Sequence, residues 1–209
     1  MIIVTPRLTL RPLTPADAPA LSALAGDPGV ARMLVDIPQP FDEAEARRWL
    51  RPLWGELRLG VEQGGRLIGG VTYFCRTAGV GSLGYWLGGE HWGQGYATEA
   101  AAALLRHGFG AERMQRFGSG HFIDNPASGR VLQKLGFKLW GNAKVWCHAR
   151  GEFVDSAHYT LERAAAGFAP AWPTVSGLFG LRPLLSRRPW PGQPTSLGSD
   201  RRQPSGSGR

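Results

Sequence analysis

The sequence predicts a mixed α+β domain built on one central sheet. Segments of alternating apolar and polar residues recur along the first 163 residues, as in half-buried strands. Helical segments with small or apolar residues at helical spacing lie between these strands. A strand that leads into a glycine loop and then a helix, residues 82–105, stands at the centre of this order. This arrangement is typical of a sheet covered by helices.

The first elements lie before residue 53. An alternating segment at residues 2–13 predicts the opening strand. Thr14 and Pro15 then predict a helix start, with Thr14 as N-cap and Pro15 at the first helical position. This helix runs to about Ala25, and a second helix is predicted over residues 42–50.

An antiparallel meander follows, and after the central loop the chain closes with strands around one short helix. Gly64 and Gly65 form the first hairpin turn of the meander. Asn125 and Pro126 start the short helix, which Gly136 ends. The predicted strands are residues 57–63, 66–75, 81–87, 115–122, 137–139, 144–150 and 156–161.

Composition separates the chain into a domain, residues 1–163, and a tail, residues 164–209. The tail is rich in Pro, Gly, Ser and Arg, and we expect it to be largely disordered. The formal net charge is +8, of which the tail carries +5. The domain is therefore only weakly basic, which argues against DNA binding. Apolar pairs beside Arg182, Arg187 and Arg188 leave a weak contact with an anionic membrane or ribosomal RNA as the alternative role of the tail.

The sequence favours a soluble cytoplasmic protein without a metal. Cys75 and Cys147 have neither a metal-ligand spacing nor a disulfide-rich context, which is typical of a reduced compartment. Residues 1–7 do not resemble a signal peptide. The longest uncharged run, residues 164–181, is interrupted by Pro and Gly, so we do not interpret it as a membrane span. The histidines have no ligand spacing: His91, His107, His121, His148 and His158.

The central loop predicts an anion site. After Gly88 and Gly89 the chain enters a loop, residues 91–97, directly before a helix. The first N–H groups of a helix lack intrahelical partners and lie at the positive end of its dipole, so they bind phosphate groups. Gly93 and Gly95 allow close approach and positive φ. The loop lacks the lysine of the P-loop and the third glycine of the dinucleotide-binding motif, and as a bare glycine loop it is also consistent with a plain turn.

Three segments together resemble the RimJ/RimL branch of the GNAT N-acetyltransferase superfamily, over roughly residues 3–163. Thr5-x-Arg7-Leu8-x-Leu10-Arg11-x-Leu13 is similar to the family's opening strand. Gly84-Tyr85-Trp86-Leu87 followed by Trp92-Gly93-Gln94-Gly95-Tyr96-Ala97-Thr98-Glu99-Ala100 is similar to its coenzyme A signature. Asn125-Pro126-Ala127-Ser128 with Val131-Leu132-x-Lys134-Leu135-Gly136-Phe137 is similar to its second cofactor motif.

The resemblance implies a mixed sheet of six to seven strands and about four helices. Acetyl-CoA would bind in a cleft where two parallel strands, ending near Leu87 and Phe122, splay apart. Trp92 stands where the family often has Arg or Gln, so it adds no pyrophosphate contact of that kind. The implied cofactor-binding residues are Leu87, Gly88, Trp92, Gly93, Gln94, Gly95, Tyr96, Ala97, Thr98, Asn125 and Ser128.

The resemblance also implies direct acetyl transfer in a ternary complex. Asn125 would order the pantetheine arm, and Ser128 would donate a proton to the leaving thiolate, although spacing alone also fits simple helix capping. Ribosomal-protein members of the branch have a glutamate about nineteen residues after this serine, where this chain has Cys147. The candidates for a base or water relay are His148, His121 and Glu99, the last two of which also have structural explanations.

We therefore predict an acetyl-CoA-dependent N-acetyltransferase whose first-choice acceptor is a protein N-terminal amine. A small amine, such as an amino acid, polyamine or antibiotic, is the alternative acceptor. A non-catalytic acyl-CoA-binding module is the alternative from another class, since the expected glutamate is missing. One or two of Tyr85, Trp86, Trp92 and Trp146 are expected to line the acceptor pocket. The assembly is expected to be a monomer or a homodimer.

Overall fold

The computed structural model describes residues 1–167 and 174–175, and shows one mixed sheet with helices on both faces. The strands are β1 Ile2–Val4, β2 Thr9–Pro12, β3 Glu56–Gln63, β4 Arg66–Thr77, β5 Val80–Leu87, β6 Arg116–Phe122, β7 Lys138–Cys147, β8 Glu152–Glu162 and β9 Thr174–Val175. The helices are α1 Ala18–Ala25, α2 Pro28–Ala31, α3 Glu43–Trp49, α4 Tyr96–Gly110 and α5 Pro126–Lys134. Short 3₁₀ turns occupy Pro15–Asp17, Gly89–His91 and Arg163–Ala165.

The strand order is β7-β8-β6-β5-β4-β3-β2-β1-β9, and every neighbouring pair is antiparallel except β5 and β6. The predicted mixed α+β architecture is confirmed. The predicted tail begins within the 3₁₀ turn Arg163–Ala165. Most of it, and with it the expected disorder and the membrane or RNA contact, lies outside the described residues.

The strand count differs from the six to seven that we expected, because residues 1–167 form eight strands. The opening strand is split by a reverse turn in which the N–H of Thr5 donates to the carbonyl of Leu8 at 2.9 Å. β1 and β2 therefore pair with each other. Conversely, two predicted closing strands merge into β7, with a register shift between Leu139 and Gly141. The short α2 brings the α-helices to five.

The main core lies between the sheet and helices α4 and α5. Phe117 is fully buried, with its ring centroid 5.0 Å from that of Phe109 on α4 and 5.6 Å from that of Tyr73 on β4. A Cβ atom on Gly108 would lie 2.5 Å from the Phe117 ring. The small-residue stripe of α4 is thus what lets this helix approach the sheet closely.

A second core lies on the opposite face, under α1, α2 and α3. Its buried side chains are Ala18, Leu21, Ala25, Ala31, Ile37, Phe41 and Ala46. The entry to α1 is fixed by Asp17, which accepts from the N–H of Thr14 at 2.7 Å and pairs with Arg11 Nη2 at 2.7 Å. The predicted start at Thr14 is confirmed, and the carboxylate supplies the capping interactions.

One irregularity of the sheet creates the site. Parallel β5 and β6 pair only from Val80 to Ser82 against Arg116 to Gly118. Beyond these three pairs, β5 continues to Leu87 and β6 continues to Phe122, but the two strands no longer pair with each other. β6 remains paired with β8 along its length. The two strands therefore diverge, and the predicted cleft between them is confirmed.

Within the described part of the chain, no helix has both the length and the apolar character required to cross a membrane.

Candidate active site

One wall of the cleft ends in the glycine loop at the start of α4. Gly93 and Gly95 have φ of 75° and 80°, as the loop was predicted to permit, and Gly95 is the N-cap of the helix. A Cβ atom on Gly93 would meet no atom within 4 Å, so space for a ligand is open above it. Free N–H groups at the start of a 15-residue helix fit a pyrophosphate in this position.

Arg7 fastens this loop from outside. Its Nη1 donates to the carbonyl of Gln94 at 2.9 Å, and its Nε donates to Glu99 Oε2 at 2.7 Å. Thr5 Oγ1 donates to the other oxygen of Glu99 at 2.7 Å. Burial raises the pKa of Glu99, but the hydrogen bonds from Thr5 and Arg7 outweigh it and bring the net pKa below the usual value. Glu99 is thus an ionised clamp for the loop.

The side chains of the loop mostly bond back to the protein. Gln94 Nε2 donates to the carbonyl of Glu90 at 3.0 Å. The Tyr96 ring is buried, and Gln63 donates to its hydroxyl. Because these side chains bond within the protein, the backbone N–H groups are the donors of the loop that remain available to an anion. Ala97 and Thr98 are half-buried in the first turn of α4.

Trp92 has a role that its sequence position did not indicate. Its Nε1 donates to the carbonyl of Leu87 at 2.8 Å, although 51% of the residue is exposed. The N–H of Gly88 donates to the carbonyl of Ile68 at 2.9 Å and so points away from the cleft. Because successive N–H groups of a strand point to opposite edges, the N–H of Leu87 faces the cleft.

The other wall of the cleft carries Ser128 in the first turn of α5. Asn125 Oδ1 accepts from the N–H of Ser128 at 3.2 Å, which confirms the predicted cap. Ser128 Oγ lies 2.9 Å from the hydroxyl of Tyr85, which also donates to the Ser128 carbonyl at 2.9 Å. Burial raises the pKa of Tyr85, more than the hydrogen bond with Ser128 lowers it. The phenol therefore stays protonated and the two hydroxyls bridge the cleft.

His121 lies beneath the same helix. Its Nδ1 is 2.8 Å from the carbonyl of Phe122, which only accepts, so Nδ1 carries a proton. Its Nε2 lies 3.3 Å from the hydroxyl of Tyr159. A Cβ atom on Gly129 would lie 2.6 Å from this nitrogen, so the ring and the helix are in close contact. The structure thus brings His121 next to the helix that carries Ser128.

Cys147 occupies the position of the expected glutamate. It is fully buried, and its Sγ lies 3.4 Å from the carbonyl of Leu34. The thiol therefore anchors the segment between α2 and α3. His148 is exposed, and its N–H donates to the carbonyl of Val35 at 3.1 Å. Among the described hydrogen bonds, none joins the side chain of His148 to Ser128 or His121.

An ion-pair cluster connects the two sides of the cleft mouth. Arg150 donates to both carboxylate oxygens of Asp124, at 2.8 and 3.1 Å, and to the carbonyl of Arg32 at 2.8 Å. Hydrogen bonding to Arg150 lowers the pKa of Asp124. Asp124 precedes the Asn125 cap, so this cluster ties α5 to the end of α2.

The sequence interpretation missed the roles of Arg7 and Arg150, and it took Tyr85 as a pocket aromatic. Arg7 belongs to the opening-strand motif quoted above, which was the available signal. Arg150 had no such signal. Among the described residues, no group of three or more His, Cys, Asp or Glu side chains is arranged to hold a metal ion.

Residues 7–138 match the family described as the acetyltransferase (GNAT) domain. The chain belongs to the GNAT family. The uncharacterized N-acetyltransferase YoaA of Bacillus subtilis (strain 168) is 29% identical over 169 residues, which cover 77% of this chain and 96% of YoaA. The ribosomal-protein-serine acetyltransferase of Escherichia coli (strain K12) is 36% identical over 76 residues, 36% of this chain and 40% of that protein.

Among solved structures, the RimL ribosomal L7/L12 alpha-N-protein acetyltransferase in complex with coenzyme A has the same fold. Its TM-score is 0.70 at 24% identity, covering 78% of this chain and 98% of RimL. The predicted RimJ/RimL resemblance is confirmed, and this GNAT protein is an acetyl-CoA-dependent N-acetyltransferase. The alternative of a non-catalytic module is not supported.

Proposed function

We propose that this GNAT enzyme acetylates protein N-terminal α-amines by direct attack in a ternary complex. The observation that carries the proposal is the fully buried thiol of Cys147, which lies where a catalytic glutamate was expected. An acceptor that is partly neutral at physiological pH needs no strong base from the protein.

The acceptor pKa decides between amines. An α-amine has a pKa near ~7.7–8.0, so about a third of it is neutral at a pH of about 7.5. A lysine side chain has a pKa near ~10.4, so only about 0.1% of it is neutral at the same pH. An enzyme that has a cysteine and no carboxylate at position 147 therefore favours the α-amine, because a much larger fraction of the α-amine is already neutral and reactive.

The backbone of the cleft supplies two functions. The first N–H groups of α4, held in place by Arg7 and Glu99, bind phosphate groups. The N–H of Leu87, whose carbonyl is fixed by Trp92, is the donor that faces the cleft for a carbonyl oxygen. When bound, acetyl-CoA supplies the activated acetyl group as a thioester.

Ser128 is our candidate for the proton donor to the leaving sulfur. Its Oγ lies 2.9 Å from the hydroxyl of Tyr85, which holds the serine in place, and the proton that Ser128 gives to the sulfur is replaced by the one that the acceptor amine loses on acetylation. Asn125 fixes the helix turn that carries Ser128. His121 and His148 remain candidates for a water relay from the acceptor, although neither contacts Ser128 through a described hydrogen bond.

The E. coli relative named above is a ribosomal-protein-serine acetyltransferase, which supports a protein acceptor for this chain. We also propose a cytoplasmic location, because both cysteines in the described structure are free and Cys147 is buried as a thiol.

The test uses the full chain with acetyl-CoA and three acceptors, following the release of coenzyme A and locating the acetyl group by mass spectrometry. The acceptors are a peptide with a free N-terminus and no lysine, the same peptide N-terminally blocked with one internal lysine, and spermidine. We expect turnover with the first peptide only. Turnover with spermidine or the blocked peptide, and none with the free N-terminus, would overturn the proposed acceptor class. Calorimetry with coenzyme A shows separately that the cofactor site is intact.

A further inference from the structure

The cleft between β5 and β6 has two faces. Side chains alternate between the faces of a sheet, and Leu87 of β5 belongs to the core under α4 and α5. Gly84 and Trp86 therefore lie on the opposite face, the side of α1, α2 and α3, where Trp86 packs against the second core. The residues of β6 on this face are Gly118, Gly120 and Phe122. An acceptor on this face approaches the cleft from the side opposite to Ser128.

The end of this face at the carboxyl termini of β5 and β6 is covered. Phe122 is 2% exposed, and the guanidinium carbon of Arg150 lies 5.0 Å from the centroid of its ring. Arg150 donates to the carbonyl of Arg32 at 2.8 Å, and Cys147 Sγ lies 3.4 Å from the carbonyl of Leu34. The segment after α2 is thus joined to the hairpin of β7 and β8 above the cleft. An acceptor on this face therefore reaches the cleft from the opposite end, where β5 and β6 begin.

Glycine lines the route from that end. Gly118 pairs with Ser82 in the last of the three β5–β6 pairs, and Gly84 and Gly120 lie two residues further on, where the strands diverge. Among the described residues, a Cβ atom on Gly118 would have only two backbone carbonyl oxygens near it, at 3.9 and 4.0 Å. Gly120 is exposed. We call these three glycines the glycine floor, because their lack of side chains lets another backbone lie close to the sheet.

Two buried polar atoms beside the glycine floor lack a partner. His158 and Thr160 of β8 pair with Gly120 and Gly118, so they share the same face of the sheet. His158 Nε2 and Thr160 Oγ1 have no hydrogen-bond partner in the described part of the chain, whereas buried polar groups usually have one. Burial lowers the pKa of His158, so its imidazole is neutral. The ring of Trp140, centred 6.3 Å from that of His158, is 71% exposed and free to move aside for a ligand.

We propose that the glycine floor binds the N-terminal segment of the acceptor protein in an extended conformation, with His158 and Thr160 hydrogen-bonded to its backbone. This inference rests on the proposed function. The α-amine enters the cleft, and the residues that follow it lie over the glycine floor toward the start of β5. Five residues of strand, about 17 Å, separate Ser82 from Leu87, so about five acceptor residues fit. The acceptor class is therefore a protein whose first residues are unfolded, and a small amine makes few of these contacts.

A series of peptide lengths tests the extended acceptor. The full chain is assayed with acetyl-CoA and lysine-free peptides of about two to eight residues, all with a free N-terminus and a shared sequence. We expect kcat/KM to rise on the order of 100-fold from the dipeptide to a peptide of about six residues and then to stay constant, because each added residue gains contacts until the glycine floor is filled. An equal kcat/KM at every length would overturn the proposal.

Variants locate the binding surface. Gly118→Val adds bulk where a Cβ has space, so it should raise the KM of the longer peptide at least about tenfold. His158→Ala and Thr160→Val should each raise this KM about tenfold, because a hydrogen bond to the peptide is lost. Gly110→Val is the matched control, since it lies at the end of α4 and a Cβ there meets no atom within 4 Å. Calorimetry with coenzyme A shows that each variant is folded. A KM in Gly118→Val equal to that of the control would contradict the proposal.

Direct binding separates this proposal from the proposed function. The longer peptide is titrated into the full chain saturated with coenzyme A, and the titration is repeated with Gly118→Val. If no peptide is acetylated, but the peptide binds and Gly118→Val weakens binding, the proposed function is wrong and the binding surface is supported. If peptides are acetylated and Gly118→Val changes neither the KM nor the binding, the proposed function is supported and the binding surface is refuted. A parent chain that binds no peptide also refutes it.

Discussion

Arg7 Nε lies 2.7 Å from Glu99 Oε2, so the turn between β1 and β2 is clamped to the first turn of α4. The same guanidinium holds the carbonyl of Gln94 and lies 4.6 Å above the centroid of the Tyr96 ring. The N-terminus of the chain therefore determines the shape of a loop about ninety residues later. This contact explains why the opening strand matters for cofactor binding.

Arg7→Ala should raise the KM for acetyl-CoA about tenfold and leave kcat nearly unchanged. The expected cost is about 1.4 kcal/mol of binding free energy, since charge-assisted hydrogen bonds that order the loop are lost. Steady-state kinetics and calorimetry with coenzyme A measure it. Arg47→Ala is the matched control, because Arg47 is equally exposed and pairs with Glu43 on α3. Equal affinity in the Arg7 variant and the parent chain would contradict the clamp.

Trp92→Phe should lower kcat about three- to tenfold, with a smaller effect on the KM for acetyl-CoA. The change keeps the aromatic ring and removes the indole N–H that fixes the carbonyl of Leu87. Without this bond Leu87 is held less firmly, so its N–H is aligned less accurately with the reacting carbonyl. Initial rates at saturating substrates test this, with Trp54→Phe as the control. A kcat equal to that of the control would show that the indole bond is dispensable.

Ser128→Ala should lower kcat on the order of 10²-fold, and Tyr85→Phe should lower it less. The two effects should not add in the double variant, because the hydroxyls are 2.9 Å apart and act through one hydrogen bond. A double-mutant cycle of kcat measures this coupling. Asn125→Ala is the comparison, since it removes the cap and keeps both hydroxyls. If Ser128→Ala retains kcat, the serine hydroxyl is not the proton donor and only bonds with Tyr85.

Gly129→Ala should destabilise the fold by about 1–3 kcal/mol, because its Cβ would lie 2.6 Å from His121 Nε2. His121→Ala in the same chain should restore most of the loss. Gly110→Ala is the control, since a Cβ there meets no atom within 4 Å. Denaturant unfolding measures all three. His121→Ala alone also tests the relay, because full activity from about pH 7 to 9 would exclude a role for this imidazole.

Asp17→Asn should abolish one source of acid sensitivity. The side-chain hydrogen bonds from Arg11 lower the pKa of Asp17 from 3.8 to about 2 in the folded protein. Burial acts in the opposite direction and offsets only part of this effect. A carboxyl whose pKa is lower when folded stabilises the protein above about pH 4, and this stabilisation is lost as the pH falls from about 4 to about 2. The variant should lose about 2 kcal/mol at about pH 6.

Unfolding free energies of parent and Asp17→Asn chains, measured from about pH 6 down to about pH 2, test this. The difference between the two chains should shrink toward low pH. A constant difference would mean that the carboxylate charge is not what stabilises the entry to α1.

Sequence reasoning succeeded where structure is local. The cap at Asn125, the glycines at 93 and 95 and the end of α5 at Gly136 all depend on a few neighbouring residues, and all are present in the structure. The turn between Thr5 and Leu8 is also local, but the alternating pattern of residues 2–13 concealed it. Pattern alone does not report where a strand folds back on itself.

The contacts that sequence reasoning missed are distant in the chain. Arg7 and Glu99 are separated by 92 residues, Tyr85 and Ser128 by 43, and Leu34 and Cys147 by 113. Each involves a side chain whose local sequence has a simpler explanation: Arg7 as a strand residue, Tyr85 as a core aromatic and Cys147 as a buried thiol. Only the folded sheet brings these partners together.

The short pairing between β5 and β6 also affects how the two parts of the sheet can move relative to each other. One part of the sheet consists of β6, β7 and β8 and the other of the remaining strands, and the backbone pairing between these two parts is confined to residues Val80 to Ser82 of β5. A ligand bound between β5 and β6 would contact both parts of the sheet where backbone hydrogen bonds between them are absent. We therefore expect β5 and β6 to separate transiently in the enzyme without ligand. Binding of coenzyme A should slow amide hydrogen exchange in both parts of the sheet.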